Sequence, residues 1–262
     1  MKRSKSFRLK GRGHNEQGTM NKEQRFFFGI PLSSLSKKEV LSCVRSIFTG
    51  NSFFRIATVG PEFLLRARED EKFKENLLRA DLRVADGFGI TLAGWLYGKH
   101  IERFPGADLL HEILKEAETR NLSVFLAIKR DGLSSLKEIQ VALLKKYPKL
   151  KIYGEESEKT TNYQLPTANC PIVFSNFGAP DQEYFLESLR GRANSVRLAI
   201  GVGGAFDFLT GKLPRAPKLF RALGLEWLWR LFLQPKRWRR IWRVVVVFPV
   251  AVCADQLKME SL

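Results

Sequence analysis

The feature that most constrains this chain is a repeated alternation. Short apolar runs of strand length are each followed by a longer segment whose apolar residues recur at helical spacing. Residues 54–59, 82–85, 123–128, 150–153, 172–175 and 197–202 read as strands. Helices are expected over 61–80, 90–97, 107–120, 133–146 and 181–189, and Ser36 is placed to cap another through SKKEVLSCVRSIF. FFFGIPL, from Phe26, reads as a first strand ending at a Gly-Ile-Pro turn, and the polar stretch 155–169 as a loop. Strands this apolar, separated by helices, belong in a mostly parallel sheet covered on both faces. The expected fold class is α/β, with no internal repeat.

Charge divides the chain further. The net charge is +17, and most of the excess sits at two places. Residues 1–25 carry eight Lys/Arg against Glu16 and Glu23, without apolar periodicity, and read as a basic flexible tail. Residues 212–243 carry ten Lys/Arg against Glu226 alone, together with four of the five tryptophans. A basic, Trp- and Leu-rich amphipathic segment is the composition of an interfacial helix, so 212–262 is expected to be a helical, membrane-docking appendage to a body at 26–211. The appendage helix should break or restart at Pro235. The longest apolar run, 244–253 (VVVVFPVAVC), is about half of the roughly 20 residues that a spanning helix requires. An anionic membrane surface is thus the expected partner, and the site of action the inner face of the cell membrane, peripherally, on the cytoplasmic side. Nucleic acid is the rival that charge alone allows, but no helix-turn-helix, zinc-finger or aromatic RNA-binding signature accompanies it. Cys43, Cys170 and Cys253 are far apart, with neither metal-site spacing nor a disulfide framework, which fits a reducing compartment.

Ligands of parallel α/β sheets bind at the carboxyl ends of the strands, and three polar clusters fall there. Asp86 directly follows a strand and precedes Gly87-Phe88-Gly89; its carboxylate faces a cleft, or else closes an Asx turn or caps a helix. Gly178-Ala179-Pro180-Asp181-Gln182-Glu183 is a well-formed helix start, which accounts for everything in it except Gln182. Gly201-Val202-Gly203-Gly204 follows the last strand and reads either as a phosphate cradle or as a tight turn; its spacing is not that of a dinucleotide fingerprint. No metal site stands out, and Asp-x-Asp does not occur. Arg215, Arg230, Arg237, Arg239 and Arg240 are therefore the candidates for neutralising a leaving diphosphate, with lipid headgroups as the alternative target.

Taken in order, FGIPLSSLSKKEV, TVGPEFL, LRADLRVADGFGI, ERFPGADLL, LLKKYPKLKIYG, FGAPDQE, GVGGAFDFLTGKLPRAPK and LEWLWRLFLQPKRWRR resemble the WecG/TagA/CpsF family of glycosyltransferases from about Phe27 to Arg240. The resemblance implies a Rossmann-like catalytic domain completed by the basic appendage. It implies inverting, metal-independent transfer of an N-acetylmannosamine-type sugar from a UDP donor to a polyprenyl-diphosphate-linked acceptor in cell-envelope polysaccharide synthesis, without a cofactor. Self-association into a homo-oligomer is implied as well. The matching positions are Asp86 for the base and Thr58, Gly60, Arg103, Gln182, Gly203 and Gly204 for substrate contacts. Arg230, Arg237 and Arg240 match the arginines that hold the diphosphate. Two departures stand out. The family pattern T-x-N reads T-x-G here, with Gly60 in the Asn position, and a usual Gly-Gly turn is replaced by Ala127-Ile128-Lys129-Arg130. An active enzyme of altered specificity is expected; the alternative is a catalytically degraded member serving as a scaffold.

Overall fold

The computed structural model describes residues 25–96, 101–160 and 170–260. The expected tail at 1–25 lies outside them except for Arg25, as do 161–169 of the expected loop. Chain order begins with β1 (Arg25–Phe27) and β2 (Ile30–Leu32), an antiparallel hairpin. This corrects the expected Gly-Ile-Pro turn: Phe28 and Gly29 take the positive φ angles (51° and 77°), and Ile30-Pro31 starts the second strand. Pro31 is tolerated there because this is a two-stranded edge.

The main sheet comprises β3 (Phe54–Val59), β4 (Leu82–Ala85), β5 (Ser123–Lys129), β6 (Lys151–Ser157), β7 (Ile172–Ser175) and β8 (Leu198–Gly201). Its spatial order is β4-β3-β8-β7-β5-β6, and every neighbouring pair is parallel. Strand alternation divides the core. Ile56, Val124, Leu126, Leu198 and Ile200 face one cluster, with residues of α1 (Lys37–Ile47), α5 (Gly106–Thr119), α6 (Leu136–Lys146) and α8 (Ala205–Leu209). Ala57, Val59 and Ala85 face the other side, against the hairpin, α2 (Pro61–Glu69), α3 (Glu71–Leu78) and α4 (Phe88–Leu96). Phe125, Val173 and Ala199 pack there on α7 (Asp181–Ser188).

The expected helix 61–80 is two helices. Asp70 is extended (φ −135°), and its carboxylate accepts the Phe73 N–H at 3.0 Å, so it ends α2 and caps α3. Ser36 does cap α1, in a capping box with Glu39. Strand β6 continues through the polar Glu155–Ser157 stretch because it is the sheet edge, where one side of the ladder can be wet.

The basic segment forms α9 (Lys218–Ala222), α10 (Glu226–Leu233), a 3₁₀ turn at Pro235–Arg237, α11 (Trp238–Trp242), π turns over Arg243–Val247 and α12 (Phe248–Glu260). The restart at Pro235 is as expected. The run 244–253 does not present one face to solvent throughout. Phe248, Ala251 and Val252 are buried in the cluster beneath α2 and α4, with the Phe28 ring edge-on to Phe248 at 6.3 Å. No helix among the described residues is long and apolar enough to cross a membrane.

Candidate active site

The site forms where β3, β4 and β8 end. Parallel pairing sets Thr58 beside Val84 and Val59 beside Ala85, which delivers Asp86 next to the end of β3. The Asp86 N–H donates to Val59 O at 2.8 Å, fixing the backbone, and the Thr58 hydroxyl donates to Gly201 O at 3.2 Å, tying β3 to β8. Residue 103 joins by an isolated parallel bridge to Ala85, and the Phe104 N–H donates to Ala85 O at 2.9 Å. That bridge aims the start of α5 at the carboxylate. A Cβ on Gly106 would stand 3.5 Å from both Asp86 Oδ2 and Thr58 Oγ1, ordinary contacts that place the start of α5 directly against the acid.

Asp86 is crowded by protein yet keeps partial solvent access. Burial pushes its pKa up from the ordinary carboxylate value. The Gly106 N–H and then Arg230 oppose the rise, Glu226 adds to it, and Arg103 opposes it weakly. The appendage supplies both strong charges. Glu226 and Arg230 lie one turn apart on α10; Glu226 pairs with Arg103 at 3.4 Å, while the Arg230 guanidinium lies 4.8 Å over the Phe208 ring.

Arg230 and Arg237, both half-buried, have pKa values lowered first by desolvation. Arg230, Arg237 and Arg240 also repel one another, and Glu62, Asp207, Glu226 and Asp86 only partly offset this. Arg240 pairs with Glu62 on α2. Three guanidinium groups close enough to repel one another make this side of the appendage cationic despite the acids nearby. Arg215 is drawn to Asp108 at 2.5 Å, and Arg239 lies over its neighbour Trp238 at 5.5 Å.

The structure thus brings together Asp86, Thr58, Gly60, Arg103 and Arg230. Gly60 begins α2, and a Cβ there would stand 3.4 Å from Asp86 O, an ordinary contact, so a side chain at 60 has room. Gly203 (φ 49°) and Gly204 follow β8 and start α8, whose Asp207 accepts from Ser134 at 2.8 Å. Gln182 is placed differently. Its carboxamide is buried behind Gly201, on the α7 side of the sheet, accepting from Gly178 N–H at 3.0 Å and donating to Glu183 at 3.1 Å. It braces the end of β8 from behind. Among the described residues no group of three or more His, Cys, Asp or Glu side chains is arranged to hold a metal ion.

Two neighbours of Asp86 escaped the sequence reading. Glu226 was visible as the single acid of the basic segment, but its partner is 123 residues away. Gly106 stood in the ERFPGADLL block, where only the fold reveals that its N–H meets the Asp86 carboxylate.

The sequence profile of the Glycosyl transferase WecG/TagA/CpsF family matches residues 25–261. The chain is similar to an N-acetylglucosaminyldiphosphoundecaprenol N-acetyl-beta-D-mannosaminyltransferase of Bacillus subtilis, 31% identical over 71% of this chain and 74% of that protein. It is also similar to the enzyme of the same name from Staphylococcus aureus (strain MRSA252), 27% identical over 89% of this chain and 93% of the other.

Proposed function

This chain belongs to the glycosyl transferase WecG/TagA/CpsF family, and from that membership we propose that it moves an N-acetylmannosamine-type sugar from UDP to a polyprenyl-diphosphate-linked sugar in cell-envelope polymer synthesis. The observation that carries the chemistry is Asp86, a carboxylate of raised pKa at the floor of the cleft, with Arg230 of the appendage acting on it. Asp86 takes the proton of the acceptor hydroxyl as that oxygen bonds to the anomeric carbon. The bond from that carbon to the diphosphate oxygen breaks, its electron pair leaves with UDP, and attack from the far side inverts the centre. Arg230, Arg237 and Arg240 take up the charge that a divalent cation supplies in other nucleotide-sugar enzymes, so transfer proceeds without one. Thr58, Arg103 and the Gly203–Gly204 turn line the substrate path, and Gln182 keeps Gly201 in place behind it. Gly60, where the family carries Asn, alters acceptor or donor choice.

The basic segment with its exposed tryptophans supports docking on an anionic bilayer, which would bring the cleft to a lipid-linked acceptor at the membrane face. Self-association remains part of the proposal as a property to be read by sedimentation.

The test is UDP release from a panel of UDP-sugars with a lipid-linked N-acetylglucosamine acceptor, in EDTA. Turnover is expected, falling by about 10²–10⁴ in Asp86→Asn. Turnover retained in that variant would sink the base assignment. Silence across the panel from folded protein would favour the scaffold reading, for which Gly60 is the motive, and Gly60→Asn would then be the variant to assay.

A further inference from the structure

Helix α4 begins two residues after Asp86 and is unusual in composition. No charged residue occurs from Gly87 to Gly98, yet the helix is not buried all round. Ile90 and Ala93 face the core, packed in the cluster that holds Phe248, Ala251 and Val252. Phe88, Leu92 and Trp95, at helical spacing on the other face, are 37%, 36% and 75% exposed. A helix apolar on both faces with one left in solvent is an exposed apolar patch that calls for an occupant.

The patch does not stop at α4. Gly224, at φ 73°, lies so close to the Phe88 ring that a Cβ there would sit 2.2 Å from Phe88 Cδ2. The appendage is thereby seated on Phe88, and the exposed Leu219 and Leu223, one turn apart, extend the apolar surface from that contact. From Phe88 to Trp95 the track runs about 10 Å. It starts at the backbone that carries the base and leads away from it.

We propose that this face of α4, with Leu219 and Leu223, is the subsite for the isoprenoid tail of a lipid-linked acceptor. The proposal rests on the acceptor class argued above, and the names of the relatives include an undecaprenol, a long chain that must leave the cleft over apolar surface. Two observations favour the tail over the bilayer at large. A bilayer anchor has no need to be contiguous with the base, whereas a tail joined to the reacting sugar through a diphosphate must be. The track is also covered at its start by the appendage, through Gly224 on the Phe88 ring, as a subsite is and a flat bilayer contact is not.

The experiment compares N-acetylglucosaminyl diphosphate carrying either a farnesyl tail or a methyl group, both dispersed below aggregation and without vesicles. The proteins are the wild-type chain, Leu92→Ser and Trp95→Ser. Wild type is expected to show a KM for the farnesyl acceptor roughly tenfold or more below that for the methyl acceptor, from burial of a few methylene equivalents. Each variant should lose most of that preference, with kcat and the methyl KM unchanged. Absence of a preference in wild type, or equal loss on both acceptors, overturns the proposal. So does a variant that keeps the preference and loses only co-sedimentation with anionic vesicles, which would make the face a bilayer contact. If wild type turns over neither acceptor, the proposed function fails instead. Binding of a fluorescent farnesyl diphosphate then decides the subsite, and equal affinity in wild type and variants overturns it.

Discussion

The sheet and the basic C-terminal segment hold their shape by different means. In the sheet, positions are set by backbone registers and by side chains with no solvent contact. Even a charge is enclosed there: Arg55 on β3 pairs with Glu183 at 2.7 Å, both side chains essentially inaccessible, and with Glu187 at 2.9 Å. In the basic segment, no residue of α10, α11 or the π turns is buried. It is fastened by ion pairs, Arg103–Glu226, Arg215–Asp108, Arg240–Glu62 and Arg243–Glu69, and by the return of Phe248 to the core. Asp86, the proposed base, thus stands at the end of the buried sheet, and the proposed diphosphate arginines on the exposed segment. Under the proposed function such a division would let substrate charge help complete the site, since a diphosphate would relieve the mutual repulsion of the arginines.

The contrast can be broken most forcefully at Glu183. Glu183→Ala leaves the Arg55 guanidinium buried without its main partner and should lower the unfolding free energy by about 3–5 kcal/mol in urea titrations. A change below about 1 kcal/mol would mean that the sheet is not held as described. Phe248→Ala, in the last helix, should cost nearly as much, about 3–4 kcal/mol. Were it to cost no more than a surface change, α12 would belong with the loosely held segment. Arg230→Ala should cut turnover roughly 10²-fold while leaving the melting temperature nearly unchanged, which is the signature of charge placed for chemistry rather than for folding. A matching fall in stability would erase that distinction.

Asp86 sharpens the comparison through pH. Its folded pKa is raised, so the native state binds the proton more tightly than the unfolded chain, and stability falls as pH rises through the interval between the two values. Asp86→Asn should therefore melt higher than wild type at neutral pH, with the difference closing below about pH 4, where both states are protonated. For the same reason the acid limb of kcat/KM should lie above the ordinary carboxylate value. Smallest of all, Arg243→Ala should change stability by less than about 1 kcal/mol, and less in high salt, because that pair is exposed.

The alternation of strands and helices was legible because each fully buried strand must be apolar and each covering helix amphipathic. Strand order was not, since the insertion of β8 beside β3 depends on pairing between residues more than a hundred apart, Phe54 with Leu198. The break at Asp70 was masked by good helix formers on both sides, and only the aspartate itself marked it. Asp86 could be placed at a strand end, but its electrostatics come from Glu226 and Arg230 of another segment. Arg55 was the overlooked signal: a lone cation inside FRIATV requires a buried acid somewhere, and Glu183 in the FGAPDQE block was the match. The apolar run 244–253 was read for membrane length, whereas Phe248, Ala251 and Val252, on one helical face, serve the core.

Strand order has a consequence for how the chain is made. Among the described residues β8 is the last strand to leave the ribosome, yet it lies inside the sheet, bonded to β3 on one side and β7 on the other. A nascent chain ending before Leu198 can assemble only two separate ribbons, β4-β3 and β7-β5-β6, each with an open inner edge. Until four more residues, Leu198–Gly201, emerge and zip the two halves together, those edges can pair with other chains. The four-residue segment that ends in Gly201 is thus also the piece that joins the two halves during synthesis, and a chain stalled or truncated before it is where edge-to-edge aggregation of this protein would begin.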